Sequence, residues 1–292
     1  MTDMSRRDFA LWLAMTKGIG GRSVTRILAR CDLMNYTPAD FRRLVPEALQ
    51  EEFRLKRAQA EALATSAREP IEHLQQILEP LNRLGVSWVT TADAHYPARL
   101  EAFDPDPPGV LFMYGNHNLL KSRTACILSS RNTTPAGLDL VERLAEEAVL
   151  SGEVIVSGHD TPEYQRAAVV PLRWGAPRIL CLDRGLFKAL GDDLKEEPFR
   201  AARLWRYEFD PKTDLVISPF RPAADYVGVN NQVRDRLIAG LADRMDAVQL
   251  SPAGNMERYA RMALKAGRPV RVSDRSIAYR LMEQHGATII AS

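Results

Sequence analysis

The chain has 292 residues, a length that predicts two domains at roughly 150 residues each. Hydrophobic residues make up 46% and charged residues 26%, as is typical of a globular protein with a sizeable core. The formal net charge of +2 excludes a strongly basic chain, so any nucleic-acid surface must come from local clustering of arginine and lysine. The polar start MTDMSRRDF and the lack of a long apolar run predict a cytoplasmic protein without signal peptide or membrane span.

Three cysteines, Cys31, Cys126 and Cys181, are widely spaced along the chain. Two of them lie in apolar runs that have the character of buried strands. We therefore expect small core thiols in a reducing compartment. No zinc-site spacing occurs, so the sequence predicts neither a metal site nor a cofactor.

Residues 1–85 have the periodicity of helices, with apolar positions recurring every three or four residues in FALWLAM, SVTRILARC and 46–84. This pattern predicts a small all-helical domain. Prolines and glycines then surround two short apolar runs, VSWVTT (86–91) and VLFMY (110–114). We expect residues 86–122 to form a connector that contains short strands.

Strands and helices alternate in residues 123–292. Short runs rich in β-branched residues are separated by longer amphipathic segments, which predicts βαβ units and a parallel sheet covered on both faces. We therefore predict an extended Rossmann-like α/β domain. Its seven expected strands are TACILS, EVIVSG, PRILCL, DLVISPF, DAVQL, PVRV and ATII.

The polar turn LSSRNTTPAG (128–137) follows the first strand of this domain. Ligands of open parallel sheets bind beyond the carboxyl ends of strands. Ser130 and Asn132 offer hydrogen-bond donors, and Arg131 offers a guanidinium fork suited to phosphate. One of the two threonines is expected to cap the helix that the proline opens. The hypothesis is a phosphate site, and the alternative is a well-capped turn with a solvated arginine.

The next turn, VSGHDTPEY, offers a second contact to the same ligand at Ser157 and Gly158. Asp160 and Glu163 add negative charge, which disfavours phosphate. The histidine of this turn suggests acid–base chemistry, but no nucleophile accompanies it. A helix cap formed by Asp160 or Thr161 is the competing interpretation.

A third anion-friendly group stands at the helix start NNQVRDR, where Arg234 and Arg236 follow three side-chain amides. Positions i and i+2 of a helix point in different directions, so both arginines meet one ligand only near an irregular first turn. The alternative is a pair of solvated surface arginines.

The segment KGIGGRSVTRIL (17–28) fits a helix-hairpin-helix turn. Gly18 and Gly20 would expose backbone N–H groups to a DNA phosphate, and Arg22 and Arg26 would add positive charge. An ordinary tight turn between two packed helices explains the same residues.

Together these segments resemble the DprA/Smf family, the bacterial DNA-processing proteins of natural transformation. YPARL followed by DPDPPGVLFMYGN is similar to the family's YP..L…PP.VLF..GN, LSSRNTTPAG to VGSRNPTPYG, VIVSG to the start of VVSGLARGID, and RDRLIAGLA to RNRIIAGLS. AGN with KAGRPVRV, and then YRLMEQHGA, follow the family pattern in order. The resemblance covers nearly the whole chain.

This resemblance implies a sterile-alpha-motif-like helical domain, a Rossmann domain, single-stranded DNA binding, a homodimer, and delivery of DNA to a RecA-type recombinase without catalysis. By position it places the DNA-binding groove along Ser130, Arg131, Ser157, Gly158, Arg234 and Arg236. Phosphate contacts would supply affinity, and an exposed aromatic such as Tyr164 or Trp174 would stack on bases.

The departures from the family pattern fall on the ligand-facing loops. Ser129 replaces a glycine, SGLARGID has become SGHDTPEY, and Asp235 replaces the asparagine of RNR. After the last predicted strand no residues remain for the winged-helix module of many relatives. Two alternatives therefore stay open. One is a regulatory or antitoxin-like module that binds a toxin-like partner, for example in phage defence. The other is a nucleotide-binding or nucleotide-processing Rossmann enzyme.

Overall fold

The computed structural model describes residues 4–291. They form two compact units. The first comprises the chain up to Tyr96 with Pro105–Phe112 and Pro219–Arg221, and the second comprises Pro97–Asp104, Met113–Ser218 and the chain from Pro222 onward. No helix within residues 4–291 is long and apolar enough to cross a membrane.

The first unit is helical, as the periodicity of residues 1–85 predicts. Its described helices are α1 (Arg6–Met15), α2 (Gly21–Met34), α3 (Pro38–Arg42), α4 (Pro46–Phe53), α5 (Arg57–Ser66) and α6 (Glu72–Arg83), and strand β1 (Ser87–Thr90) follows. Buried aromatic rings join three of these helices. The ring of Phe41 packs edge-on against those of Phe9 and Phe53, with centroids 5.3 and 4.9 Å away. Such edge-to-face pairs stabilise a core beyond the area they bury.

The second unit alternates strands and helices. Its elements are α7 (Ala98–Phe103), the end of β2 (Val110–Gly115), a 3₁₀ helix (His117–Lys121), β3 (Thr124–Leu128), α8 (Pro135–Leu150), β4 (Val154–Ser157), α9 (Pro162–Arg173), β5 (Arg178–Cys181), α10 (Leu186–Leu190), α11 (Arg200–Arg203), β6 (Leu215–Ser218), α12 (Asn230–Leu241), β7 (Arg244–Ala247), α13 (Asn255–Lys265), β8 (Val270–Ser273), α14 (Tyr279–Gln284) and β9 (Thr288–Ile290).

Strands β3 to β9 pair in the order β6-β5-β4-β3-β7-β8-β9, and every pair among them is parallel. The chain leaves β3 in one direction through β4, β5 and β6, and then returns to the other side of β3 at β7. Right-handed crossovers therefore place α8 and α9 on one face and α12 and α13 on the other. This reversal puts the topological switch point, where ligands of such sheets bind, at the carboxyl ends of β3 and β7. The predicted α/β class with a parallel sheet is confirmed.

The core agrees with the predicted strand pattern. Ala125, Ile127 and Ile155 of the sheet pack with Val141 and Leu144 of α8 in one buried cluster. The three cysteines are buried, as predicted. The placement of DAVQL was wrong, because β7 begins at Arg244, which pairs with Ala125 of β3. The charge of Arg244 argues against a strand in the sequence, but here its guanidinium contacts Glu153 and Asp246, at 2.5 and 2.6 Å.

Candidate nucleic-acid interface

The turn between β3 and α8 lies at the switch point and is held by its own side chains. Thr134 caps α8, with its hydroxyl accepting a hydrogen bond from the N–H of Gly137 at 3.2 Å, so the predicted threonine cap is confirmed. Asn132 has φ +65°, a left-handed conformation that asparagine tolerates. Arg131 and Asn132 are exposed, and Arg131 has no hydrogen-bond or ion-pair partner within residues 4–291. The turn therefore presents one available guanidinium to solvent.

The loop after β7 is tied to this turn across the switch point. The N–H of Ser130 donates to the carbonyl of Gln249 at 2.7 Å, and the N–H of Ser251 donates to Ser130 Oγ at 2.8 Å. The Gln249 side chain also accepts from the N–H of Thr134 at 2.9 Å and donates to its hydroxyl at 3.2 Å. Gln249 thus uses a backbone N–H at the start of α8 that an anion would otherwise find open.

A carboxylate of the protein itself lies at the same helix start. Glu163, the second residue of α9, is only 6% exposed, and its Oε1 accepts a hydrogen bond from the N–H of Thr133 at 3.2 Å. Helix N-termini attract anions through unpaired N–H groups and the helix dipole. Glu163 therefore occupies a backbone N–H of this turn that an external anion could otherwise bind.

Arg234 is buried beneath the neighbouring turn. It is 1% exposed, and its Nε donates to Asp235 Oδ1 at 2.8 Å while both of its terminal nitrogens contact the Asp160 carboxylate. The guanidinium carbon lies 4.7 Å from the centre of the Tyr164 ring. Burial acts to lower the pKa of Arg234, but Tyr164, Asp235 and Asp160 outweigh burial and raise it. Arg234 is thus a fixed cation balanced by two carboxylates.

Arg236 faces a different part of the second unit. Its guanidinium contacts the buried carboxylate of Asp104, which follows α7. Arg234 instead points toward Asp160, so the structure does not bring the two arginines to one ligand, in keeping with their spacing of two residues on α12. Nearby, the side-chain amide of Asn230 donates to the carbonyl of Asp183 at 2.8 Å.

Ser157 and Gly158 lie at the carboxyl end of β4, beside the Arg234 cluster. Ser157 is 1% exposed, and its hydroxyl donates to the carbonyl of Tyr164 at 3.0 Å. A Cβ on Gly158 would come within 3.0 Å of Arg234 Nη1 and 2.9 Å of the Tyr164 ring, so a glycine is needed for this close approach. The helix that follows is capped by Thr161 and not by Asp160.

Asp183, which follows β5, is a further fully buried acid at this edge of the sheet. The His159 imidazole lies 3.3 Å away, and Arg184 Nε donates to the same carboxylate at 2.8 Å. Burial acts to raise the pKa of Asp183, but His159 and Arg184 outweigh burial and hold it well below its usual range. The histidine considered for acid–base chemistry thus pairs with Asp183 and not with its neighbour Asp160.

A sequence model of the family described as DNA recombination-mediator protein A matches residues 87–291. The chain belongs to this family. The DNA processing protein DprA of Bacillus subtilis is 26% identical to it over 214 residues, which are 72% of this chain and 68% of that protein.

Two solved structures of DNA recombination-mediator protein A relatives share the fold. The X-ray structure of DprA from Streptococcus pneumoniae has a TM-score of 0.72 at 19% identity and covers 100% of this chain and 96% of its own. The Helicobacter pylori protein, whose structure is described as giving its single-stranded DNA binding mode, has a TM-score of 0.54 at 20% identity and covers 70% and 90%.

The helix-hairpin-helix candidate of this family member lies between α1 and α2 in the first unit. Gly18 has φ +83°, and Gly20 is the residue before α2. The N–H of Arg22 donates to Asp106 Oδ1 at 3.1 Å, and the N–H of Gly21 donates to the carbonyl of Pro107 at 2.9 Å. The start of α2 therefore already contacts a carboxylate, while the side chains of Arg22 and Arg26 are exposed.

The expectation of a stacking aromatic at Tyr164 was wrong. Tyr164 is 3% exposed, because its ring covers Arg234 and its hydroxyl donates to Asp235 Oδ1 at 2.8 Å. Trp174 is 51% exposed, but it follows α9, which runs from the carboxyl edge of the sheet to the amino edge. It therefore lies away from the turns that carry Arg131.

Sequence reasoning missed Gln249 and the role of Glu163. Gln249 follows β7, and its contacts with Thr134 join residues 115 positions apart, so no local pattern indicates them. Nothing in the spacing of Glu163 indicates that it contacts a backbone N–H 30 residues earlier.

Proposed function

We propose that the chain binds single-stranded DNA at the carboxyl edge of its parallel sheet and acts in DNA processing and recombination without catalysis. The observation that carries this proposal is Arg131, an exposed arginine without a partner among the described residues, in the turn at the topological switch point. Membership of the DNA recombination-mediator protein A family and the DNA binding described for the Helicobacter pylori relative support the same assignment.

In this proposal some residues at the carboxyl edge contact phosphate and others support the turns that present them. Arg131, with the polar groups of Ser130 and Asn132, contacts phosphates directly. Arg234 holds the turn of Asp160 in place beneath them, with Ser157 and Gly158 supporting the same turn. Arg236 contacts the DNA only where the strand passes toward α7. We further infer a homodimer and a RecA-type recombinase partner, as the family resemblance implies.

A filter-binding titration with a labelled thymidine oligonucleotide tests the proposal. Binding should weaken steeply with salt, because each neutralised phosphate contributes about 0.7 to the logarithmic slope for single strands. Arg131→Gln should weaken binding about tenfold, the scale of one hydrogen bond to a charged group. Arg143→Gln, a change of the same charge on the exposed side of α8, is the control and should bind like the wild type. Absent or salt-independent binding would refute the proposal.

A second candidate, a regulatory or antitoxin-like module with a toxin-like partner, has one observation in its favour. The acids of the altered loop, Asp160 and Glu163, already contact Arg234 and the N–H of Thr133. A site whose donors are satisfied internally has less affinity for phosphate to offer. The neighbouring genes distinguish the candidates, since a competence or topoisomerase neighbourhood favours DNA processing and a toxin-like neighbour favours the interaction module.

A further inference from the structure

A basic groove runs along α13, outside the turns already described. It encloses about 500 Å³ and is lined by Gly254, Arg258, Arg261, Met262, Lys265 and His285, among others. Its three permanent cations occupy positions i, i+3 and i+7 of an 11-residue helix and therefore share one face. At 1.5 Å of rise per residue, this face carries positive charge over about 10 Å.

The cations of this groove are more exposed than Arg234 and Arg236, although Arg258 packs on the ring of Tyr259 with its guanidinium carbon 5.2 Å from the ring centre. Arg258, Arg261 and Lys265 are all exposed. Lys265 has no ion pair within residues 4–291. The groove lining also contains one acid, Glu257, which lies 3.5 Å from Arg261 and accepts a hydrogen bond from the N–H of Ala253 at 2.7 Å. Arg234 and Arg236, by contrast, each contact a carboxylate that is mostly or fully buried.

The groove also begins where the candidate interface ends. Gly254 precedes α13 and lines the groove, and three residues before it the N–H of Ser251 donates to Ser130 Oγ at 2.8 Å. The turn that carries Arg131 is thus hydrogen-bonded to the loop that opens the groove. The segment from Ser251 to Gly254 therefore joins the turn of Arg131 to the start of α13.

We propose that the α13 groove binds consecutive phosphate groups, and that it makes phosphate contacts that Arg234, already paired with Asp160 and Asp235, does not make. That these phosphates belong to single-stranded DNA rests on the proposed function. A free polyphosphate chain also presents consecutive charged phosphates and could bind the same groove. Lysine and arginine at helical spacing suit either source, because neither requires recognition of a base.

The test compares two variants that each lose three positive charges. Arg258→Gln/Arg261→Gln/Lys265→Gln removes the groove cations. The matched control, Lys121→Gln/Arg123→Gln/Arg143→Gln, removes exposed cations that lie before β3 and on α8. Far-UV circular dichroism and thermal unfolding establish that both variants fold. Each is titrated with a thymidine oligonucleotide at about 50 and about 200 mM salt, and with inorganic tripolyphosphate by calorimetry.

Three lost contacts should lower the logarithmic salt slope by about 2, so the affinity of the wild type for the oligonucleotide should fall about 16-fold more than that of the groove variant over this salt range. The groove variant should also lose tripolyphosphate binding, and the control should keep both. The groove proposal would be refuted if the groove variant bound both probes as tightly as the wild type does. It would also be refuted if the wild type bound neither probe. If groove-dependent binding of tripolyphosphate occurs without binding of DNA, the groove stands and the proposed function fails. If DNA binds equally to both variants and tripolyphosphate does not bind, the groove fails and the proposed function stands.

Discussion

Replacing the buried Arg234 with methionine removes the cation that holds two carboxylates at the carboxyl edge of the sheet. Asp235 keeps a side chain that is 9% exposed and Asp160 one that is 17% exposed. Breaking a buried ion pair by removing one partner costs about 3–5 kcal/mol, since an uncompensated charge stays in the interior. We expect Arg234→Met to lose about that much of the free energy of unfolding, because methionine retains much of the packing against Tyr164.

A second substitution separates the charge effect from the loss of packing. Asp235→Asn removes the stranded carboxylate, and the amide oxygen can still accept the hydroxyl hydrogen of Tyr164. The double variant Arg234→Met/Asp235→Asn should therefore be more stable than the sum of the single losses, by about 0.5–3 kcal/mol. The control is Arg258→Met, an exposed position where a change within about 0.5 kcal/mol is expected.

Urea unfolding followed by circular dichroism and tryptophan fluorescence measures the wild type and the four variants. The midpoint should fall markedly for Arg234→Met and partly recover in the double variant. A loss below about 1 kcal/mol for Arg234→Met, or strict additivity in the double variant, would refute the assignment of Arg234 as a buried structural cation.

Three further predictions concern other buried groups. Arg178→Met should destabilise the chain by about 3 kcal/mol in urea unfolding, because the fully buried Glu197 and Asp214 would keep only Arg206 as an ion-pair partner, whereas exposed Arg200→Met should change little. The folded-state pKa of Asp183 is below its unfolded value of about 3.9, so its contribution to stability is present above about pH 4 and lost as pH falls further. Asp183→Asn should therefore show a flatter decline of the urea midpoint below pH 4, and an unchanged decline would contradict the buried His159–Asp183 pair. Burial raises the thiol pKa of Cys31, Cys126 and Cys181. A chromogenic thiol reagent should therefore react slowly with the native chain and rapidly with all three thiols after denaturation. A rapid reaction of the native chain would contradict the burial of these thiols.

The sequence sufficed for the parallel sheet, because its strands are short apolar runs between amphipathic helices. It also predicted a cap at each of the two helix starts, since capping depends on residues at most three positions apart, but it left open Thr133 or Thr134 for α8 and Asp160 or Thr161 for α9. The start of β7 was missed because Arg244 is charged, and its neutralisation by Glu153 depends on a residue 91 positions away.

The sequence predicted where the candidate turns lie in the sheet but not which charged side chains pair there. The position of Arg131 follows from the rule for carboxyl ends of parallel strands. The pairing of Asp160 with Arg234 joins residues 74 positions apart, and the burial of Tyr164 follows from the same cluster. No local pattern reports such contacts, and the prediction that the two acids of SGHDTPEY disfavour phosphate stays a prediction.

The most direct test of single-stranded DNA binding at the switch point is a structure of the chain with a short thymidine oligonucleotide. We expect a phosphate within hydrogen-bond distance of the Arg131 guanidinium, with the strand passing over the turn that covers Arg234. An oligonucleotide bound elsewhere, with Arg131 still solvated, would contradict it.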